Sequence, residues 1–133
     1  MMAGAQTVAD LMTTPVVSVT RTTDVSEAIR LLRHHHVRHL PVVNHHRVVV
    51  GVVSNRNMLV AHLTRGDLEG HRRVGHLMSS PPITTRPSES LSDAATQLLE
   101  HQIGCLPVTD DEGRLVGILA ASDFVRAFTM PPG

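Results

Sequence analysis

Residues Val25, Ala28, Ile29 and Leu32 recur at the three-and-four spacing of one helical face, with Arg30 and Arg33 elsewhere on the turn. The spacing predicts an amphipathic helix from Asp24 to about residue 35. A second is predicted from Ser90 to about residue 101, its apolar residues being Leu91, Ala94, Ala95, Leu98 and Leu99. Two β-rich runs follow each helix. Residues 40–43 and 48–53 flank the polar stretch Asn44-His45-His46-Arg47, and residues 106–109 and 115–119 flank Asp110-Asp111-Glu112-Gly113-Arg114. Each pair reads as an antiparallel hairpin. A last helix begins near Asn55 or Ala121 and carries Met58, Leu59 and Leu63, or Phe124, Val125 and Phe128. Ahead of each amphipathic helix stand a short helical turn (residues 8–12 or 74–78), a proline that cannot continue it, and a short extended piece (16–19 or 82–85).

The two series are one series written twice. Residues 8–59 superpose on 74–125 without a gap: Leu11-Met12 on Leu77-Met78, Pro15 on Pro81, Leu40-Pro41-Val42 on Leu106-Pro107-Val108, and Val50-Gly51 on Val116-Gly117. The chain therefore divides into a first repeat, 8–64, a linker, 65–73, and a second repeat, 74–129. The repeating unit is β-α-β-β-α with a short leading helix. Two units predict a pseudo-twofold α/β (α+β) fold whose sheets mix parallel and antiparallel neighbours. A repeat of this length alone is near the size at which a core becomes marginal, so the expectation is one body with a shared core.

Composition narrows the chemistry. The 133 residues are 41% apolar, but with two phenylalanines and no tryptophan or tyrosine there is no aromatic platform for single-stranded nucleic acid. Twelve basic and twelve acidic residues give zero formal charge, which predicts no strong footprint for DNA or membrane. Ten histidines would turn the protein cationic on acidification. A single cysteine, Cys105, excludes an internal disulfide and fits a reducing cytoplasm. No apolar run reaches membrane-spanning length and no signal-peptide layout opens the chain, so a cytoplasmic protein is expected.

The ordered set of a proline before the first strand, Leu-Pro-Val opening the hairpin, and Gly-apolar-apolar-Ser-x-x-Asn/Asp leading into the last helix resembles the cystathionine-β-synthase (CBS) domain. The tandem pair, spanning residues 8–126, resembles a Bateman module. The resemblance implies a regulatory nucleotide sensor that takes an adenosine-containing ligand (AMP, ADP, ATP or S-adenosylmethionine) in a cleft between the repeats. It also implies a homodimer and an unknown regulated protein. No obligatory cofactor is implied.

The residues singled out for binding are Arg38, His39, Ser54, Asn57, Cys105, Ala120 and Asp123. Ser54 stands where a strand hands over to a helix, so backbone N–H groups and a hydroxyl can converge on a phosphate. Residue 57, one turn in, can reach a ribose diol; as Asn57 it offers one carbonyl oxygen. The same Ser-x-x-polar pattern equally describes a helix cap. The second repeat reverses the arrangement, with Ala120 in place of the hydroxyl and Asp123 in the ribose position. Arg38 can pair with phosphate as a planar fork or snorkel over the helix end, and His39 can add charge or pack on the sheet. Their counterparts Gly104 and Cys105 can make room for an adenine ring, and Cys105 otherwise reads as an ordinary buried cysteine. This inequality predicts one competent cleft rather than two.

The histidine runs 34–36 and 45–46 diverge too much to close a zinc site, so no metal is expected. No Gly-rich phosphate loop or nucleophile elbow is present, and the expectation is a protein that is not an enzyme. Surplus apolar residues in the last helix of each repeat predict dimerisation. A ligand-free dimerisation adaptor is the alternative from a different class.

Overall fold

The computed structural model describes residues 5–65 and 72–129. In chain order the elements are α1 (Val8–Leu11), α2 (Val25–His35), β1 (His39–Val43), β2 (Val49–Ser54), α3 (Asn55–Arg65), a single 3-10 turn (Val74–His76), α4 (Leu91–His101), β3 (Cys105–Thr109), β4 (Leu115–Ala120) and α5 (Ala121–Thr129). Each repeat has the predicted helix, hairpin and helix in the predicted order, so the mixed α/β repeat architecture holds, but the predicted first strand of each repeat is no regular strand. Most of the predicted linker, residues 66–71, lies outside the described residues.

The compact units are not the sequence repeats. One unit is Val17–Pro82; the other joins the residues up to Val16 with those from Ile83 onward. Each repeat thus gives its leading segment to the unit built on the other repeat. Hydrogen bonds show the exchange as matched pairs. Val8 N–H donates to Glu89 O (2.9 Å) and Leu91 N–H to Gln6 O (3.1 Å). Val74 N–H donates to Thr23 O (2.8 Å) and Val25 N–H to Arg72 O (2.8 Å). The Val25 and Leu91 amides are first-turn donors of α2 and α4 that have no partner inside their own helices. The borrowed segment satisfies them.

Size alone predicts one shared core, whereas the structure has two clusters of buried side chains. In the unit Val17–Pro82, Val25, Ala28 and Leu32 of α2 pack with Leu40, Val42, Val53, Met58 and the borrowed Val74. In the other, Leu91, Ala94 and Leu98 of α4 pack with Leu106, Val108, Leu119 and the borrowed Val8. Supplementation by the exchanged segment is what lets each unit have its own cluster. Leu99, counted with the apolar face of α4 from sequence, is 79% exposed. Adjacent helical residues point about 100° apart, so the side that buries Leu98 leaves Leu99 in water.

Each hairpin is antiparallel, with Leu40 opposite Val53 and Leu106 opposite Leu119. The first extended pieces contribute only single parallel bridges, Val19 to Val42 and Thr85 to Val108. Proline explains the limit. Val19 N–H donates to Pro41 O and Val43 N–H to Val19 O, so the preceding rung would need a donor at residue 41, which proline lacks. Pro107 ends the pairing of Thr85 in the same way.

The turns show the duplication at atomic detail and carry one difference. Asn44 Oδ1 accepts from His46 and Val48 N–H, and Asp110 Oδ1 accepts from Glu112 and Arg114 N–H. The left-handed position is Gly113 (φ 80°) in one turn and Arg47 (φ 65°) in the other. A left-handed non-glycine residue costs roughly 1–2 kcal/mol, partly offset by the greater chain entropy glycine loses on folding. Arg47→Gly should therefore stabilise the protein by about 0.5–1 kcal/mol, and Gly113→Arg should destabilise it comparably, in urea titrations.

Candidate functional site

The predicted binding residues gather at the strand-to-helix junction of each unit. In the unit Val17–Pro82, His39 stands directly across the hairpin from Ser54. Arg38 O accepts the first amide of α3, from Asn55, at 2.8 Å. The Arg38 and Asn57 side chains are exposed, while His39 and Ser54 are half-buried. In the other unit Cys105 stands across from Ala120, and Gly104 O accepts Ala121 N–H at 3.0 Å. The structure thus brings Arg38, His39, Ser54 and Asn57 into one junction, and Cys105, Ala120 and Asp123 into the other.

The two junctions contain complementary halves of a single capping device. Ser54 Oγ accepts Asn57 N–H at 3.0 Å, the forward half. Asp123 Oδ2 accepts Ala120 N–H at 2.8 Å, the reverse half. A full capping box has both. Both the Ser in one repeat and the Asp in the other therefore help start a helix. Their ligand chemistry is what remains afterwards. Having accepted from Asn57, Ser54 keeps its own O–H free to donate to an anion oxygen.

Asp123 is buried, and Thr13 Oγ1 donates to its Oδ1 at 3.4 Å while the Arg126 guanidinium forms an ion pair with the same oxygen. Three of roughly four lone-pair directions are thus in use, which leaves one acceptor direction for a ribose hydroxyl. Sequence reasoning missed Thr13 and Arg126. Arg126 sits one helical turn beyond Asp123, a spacing visible in the sequence. Thr13 comes from the exchanged leading segment, and no local signal points to it.

Burial, and then the neighbouring Arg38 guanidinium, hold the His39 imidazole below its ordinary value. Because the folded value is the lower one, the stability it confers is present above the unfolded value and lost as pH falls through the folded one. Thermal melts should therefore show stability declining as pH drops below about 6.5, and His39→Gln should flatten that step. Asp10, Glu27 and Asp110 are lowered too and act in a more acidic window. Burial pushes the Cys105 thiol up to about 12, so it stays protonated and is no nucleophile at neutral pH. Among the described residues no three His, Cys, Asp or Glu side chains converge as a metal set. No described helix is long and apolar enough to cross a membrane.

A duplicated unit of helix, hairpin and helix with exchanged leading segments and a hydroxyl or carboxylate at each strand-to-helix junction defines a paired-domain architecture. The chain belongs to the CBS domain family, whose model matches residues 8–63 and 74–129. It is 34% identical over 116 residues to the CBS domain-containing protein YhcV of Bacillus subtilis, covering 87% of this chain and 81% of that one. It also matches homoserine O-acetyltransferase of Methanocorpusculum labreanum, of whose length it spans 23%. Among solved structures, the CBS domain pair of protein MJ0100, in complex with 5′-methylthioadenosine and S-adenosyl-L-methionine, superposes with a TM-score of 0.84 at 26% identity, covering 92% of this chain and 94% of that one. CBSX2 in complex with AMP, a protein of Arabidopsis thaliana, superposes with a TM-score of 0.80 at 38% identity, covering 92% and 95%.

Proposed function

We propose that this protein is a regulatory module that binds an adenosine-containing nucleotide (AMP, ADP, ATP or S-adenosylmethionine) and passes the bound state to a protein partner by a change of shape. The observation that carries this reading is the junction at Ser54. A free hydroxyl, the start of the eleven-residue helix α3 and the exposed Arg38 share one corner of the fold. That combination suits a phosphate, and the relatives solved with AMP and with S-adenosyl-L-methionine support the adenosine half. The role is regulatory rather than catalytic and is placed in the cytoplasm.

Calorimetric titration with the four ligands tests it. At least one should bind with a dissociation constant below about 100 μM, a binding energy of roughly 5–6 kcal/mol. No binding below millimolar to any of them favours the dimerisation adaptor instead. Arg38→Ala and Ser54→Ala should weaken ATP more than adenosine, each by about 1.5–3 kcal/mol if a charge-assisted contact is lost. Equal losses on both ligands would remove these residues from the phosphate role.

The reading includes a homodimer. Leu63 on α3 is 79% exposed and Phe128 on α5 is 62% exposed, beside Leu59 and Val125. Apolar side chains left this exposed on the last helix of each repeat support the reading. Light scattering should give a dimer for the native protein and a monomer for Phe128→Glu; a native monomer at high concentration counts against it.

A further inference from the structure

The chain is neutral as a whole, yet its charges are divided unevenly between the two units. The unit Val17–Pro82 contains every arginine except Arg86, Arg114 and Arg126: nine against four carboxylates, a formal +5. The other unit sets those three against eight carboxylates, a formal −5. Every histidine but His101 lies in the basic unit.

The inversion recurs at matching places in the repeated fold. The exposed turn His45-His46-Arg47 of one hairpin corresponds to Asp111-Glu112-Gly113 of the other. Helix α2 ends on Arg33-His34-His35, and α4 on Leu99-Glu100-His101. Helix α3 has no carboxylate along its length. Local pairing uses little of this charge. Among the described residues the basic unit has the ion pairs Arg30–Glu27 and Arg73–Asp24, and the acidic unit has Arg86–Asp111 and Arg126–Asp123. Arg21, Arg33, Arg38, Arg47 and Arg56 are exposed.

We infer that this segregation sets the polarity of pairing: a second copy of the chain docks head to tail, its acidic unit against the basic unit of the first. The inference rests on the homodimer proposed above and selects its arrangement. A two-fold dimer of a two-unit chain can face like units or unlike ones. Facing like units sets +5 against +5 and −5 against −5, and like-charge juxtaposition across an interface costs several kcal/mol. Facing unlike units neutralises both surfaces and steers the encounter. The second copy is favoured over a polyanion such as nucleic acid because the acidic unit of the same neutral chain would repel the latter.

Energy transfer between labelled copies tests the polarity. Single cysteines are introduced at the exposed turns by His45→Cys and Asp111→Cys, positions equivalent in the two repeats. The native Cys105 is buried and its thiol stays protonated, so it does not compete for the label. Mixing the two variants should give transfer at least about threefold higher than mixing either variant with itself, since unlike units face each other. Higher transfer in the like mixtures overturns the inference while leaving the dimer in place. A monomer in light scattering removes the dimer reading and the inference together, and a monomer that also binds a random DNA duplex assigns the basic unit to polyanions. Raising salt from about 0.05 to about 0.5 M should weaken association of the native protein by about tenfold. Association that is unchanged or tightened by salt would contradict charge-set polarity.

Discussion

Gly51→Ala should destabilise the protein by about 3 kcal/mol, while the equivalent Gly117→Ala should cost about 1 kcal/mol or less. The two glycines occupy the same place in the repeat, where the exchanged leading segment lies across the second strand of the hairpin. A Cβ on Gly51 would come within 2.7 Å of Met78 Sδ and 2.9 Å of the Ser79 carbonyl oxygen. That carbonyl accepts Val52 N–H, and Ser79 N–H donates back to Val52 O, so it cannot retreat without breaking the bridge. At Gly117 the nearest atom is Met12 Sδ at 2.6 Å, and the Thr13 carbonyl stands off at 3.4 Å. A thioether has three rotatable bonds and can swing away; a bridged carbonyl cannot. Neither glycine has a left-handed backbone, so alanine also brings a small gain through the unfolded chain, which takes Gly117→Ala nearer to neutral. Urea denaturation of the two variants decides the matter, and equal losses would show that the methionines, not the carbonyl, set the cost.

Asp123→Ala should cost about 2–3 kcal/mol, more than the roughly 1 kcal/mol expected of Ser54→Ala, although the two residues complete the same kind of cap. The difference lies in what each holds. Ser54 satisfies one amide, that of Asn57. The buried Asp123 carboxylate holds the Ala120 amide, the Thr13 hydroxyl of the exchanged segment and the Arg126 guanidinium. Its removal leaves three donors to find water. The converse changes complete the boxes. Asn57→Asp should add the reverse half beside Ser54, and Ala120→Ser the forward half beside Asp123, each gaining about 0.5–1 kcal/mol. Thermal denaturation measures all four. Ligand titrations on Asp123→Ala are interpretable only at temperatures where that variant is fully folded.

The order of elements was legible from short-range pattern. Helix α2 begins after Asp24 and α4 after Ser90, where the apolar spacing and the polar residue ahead of it place them. Both hairpins lie where β-rich runs flank polar turns. Leu99 was misplaced because apolar character alone cannot say how wide a buried face is. Arg126 could have been paired with Asp123 from its spacing. Thr13 could not, since it is 110 residues away in the chain.

What the sequence determined by itself is the duplicated frame, because helix periodicity, strand runs and turn residues act over a few neighbours and recur at one constant offset. The tertiary structure alone decided which segment belongs to which unit. Val8 and Val74 hold equivalent places in the two repeats, and the satisfaction of the Val25 and Leu91 amides and the filling of each core send them to opposite units. It also decided the meaning of the unequal Ser54 and Asp123. In sequence they are halves of a binding motif, and in three dimensions each first completes a helix start, because a first-turn amide without a partner must be met before any ligand arrives.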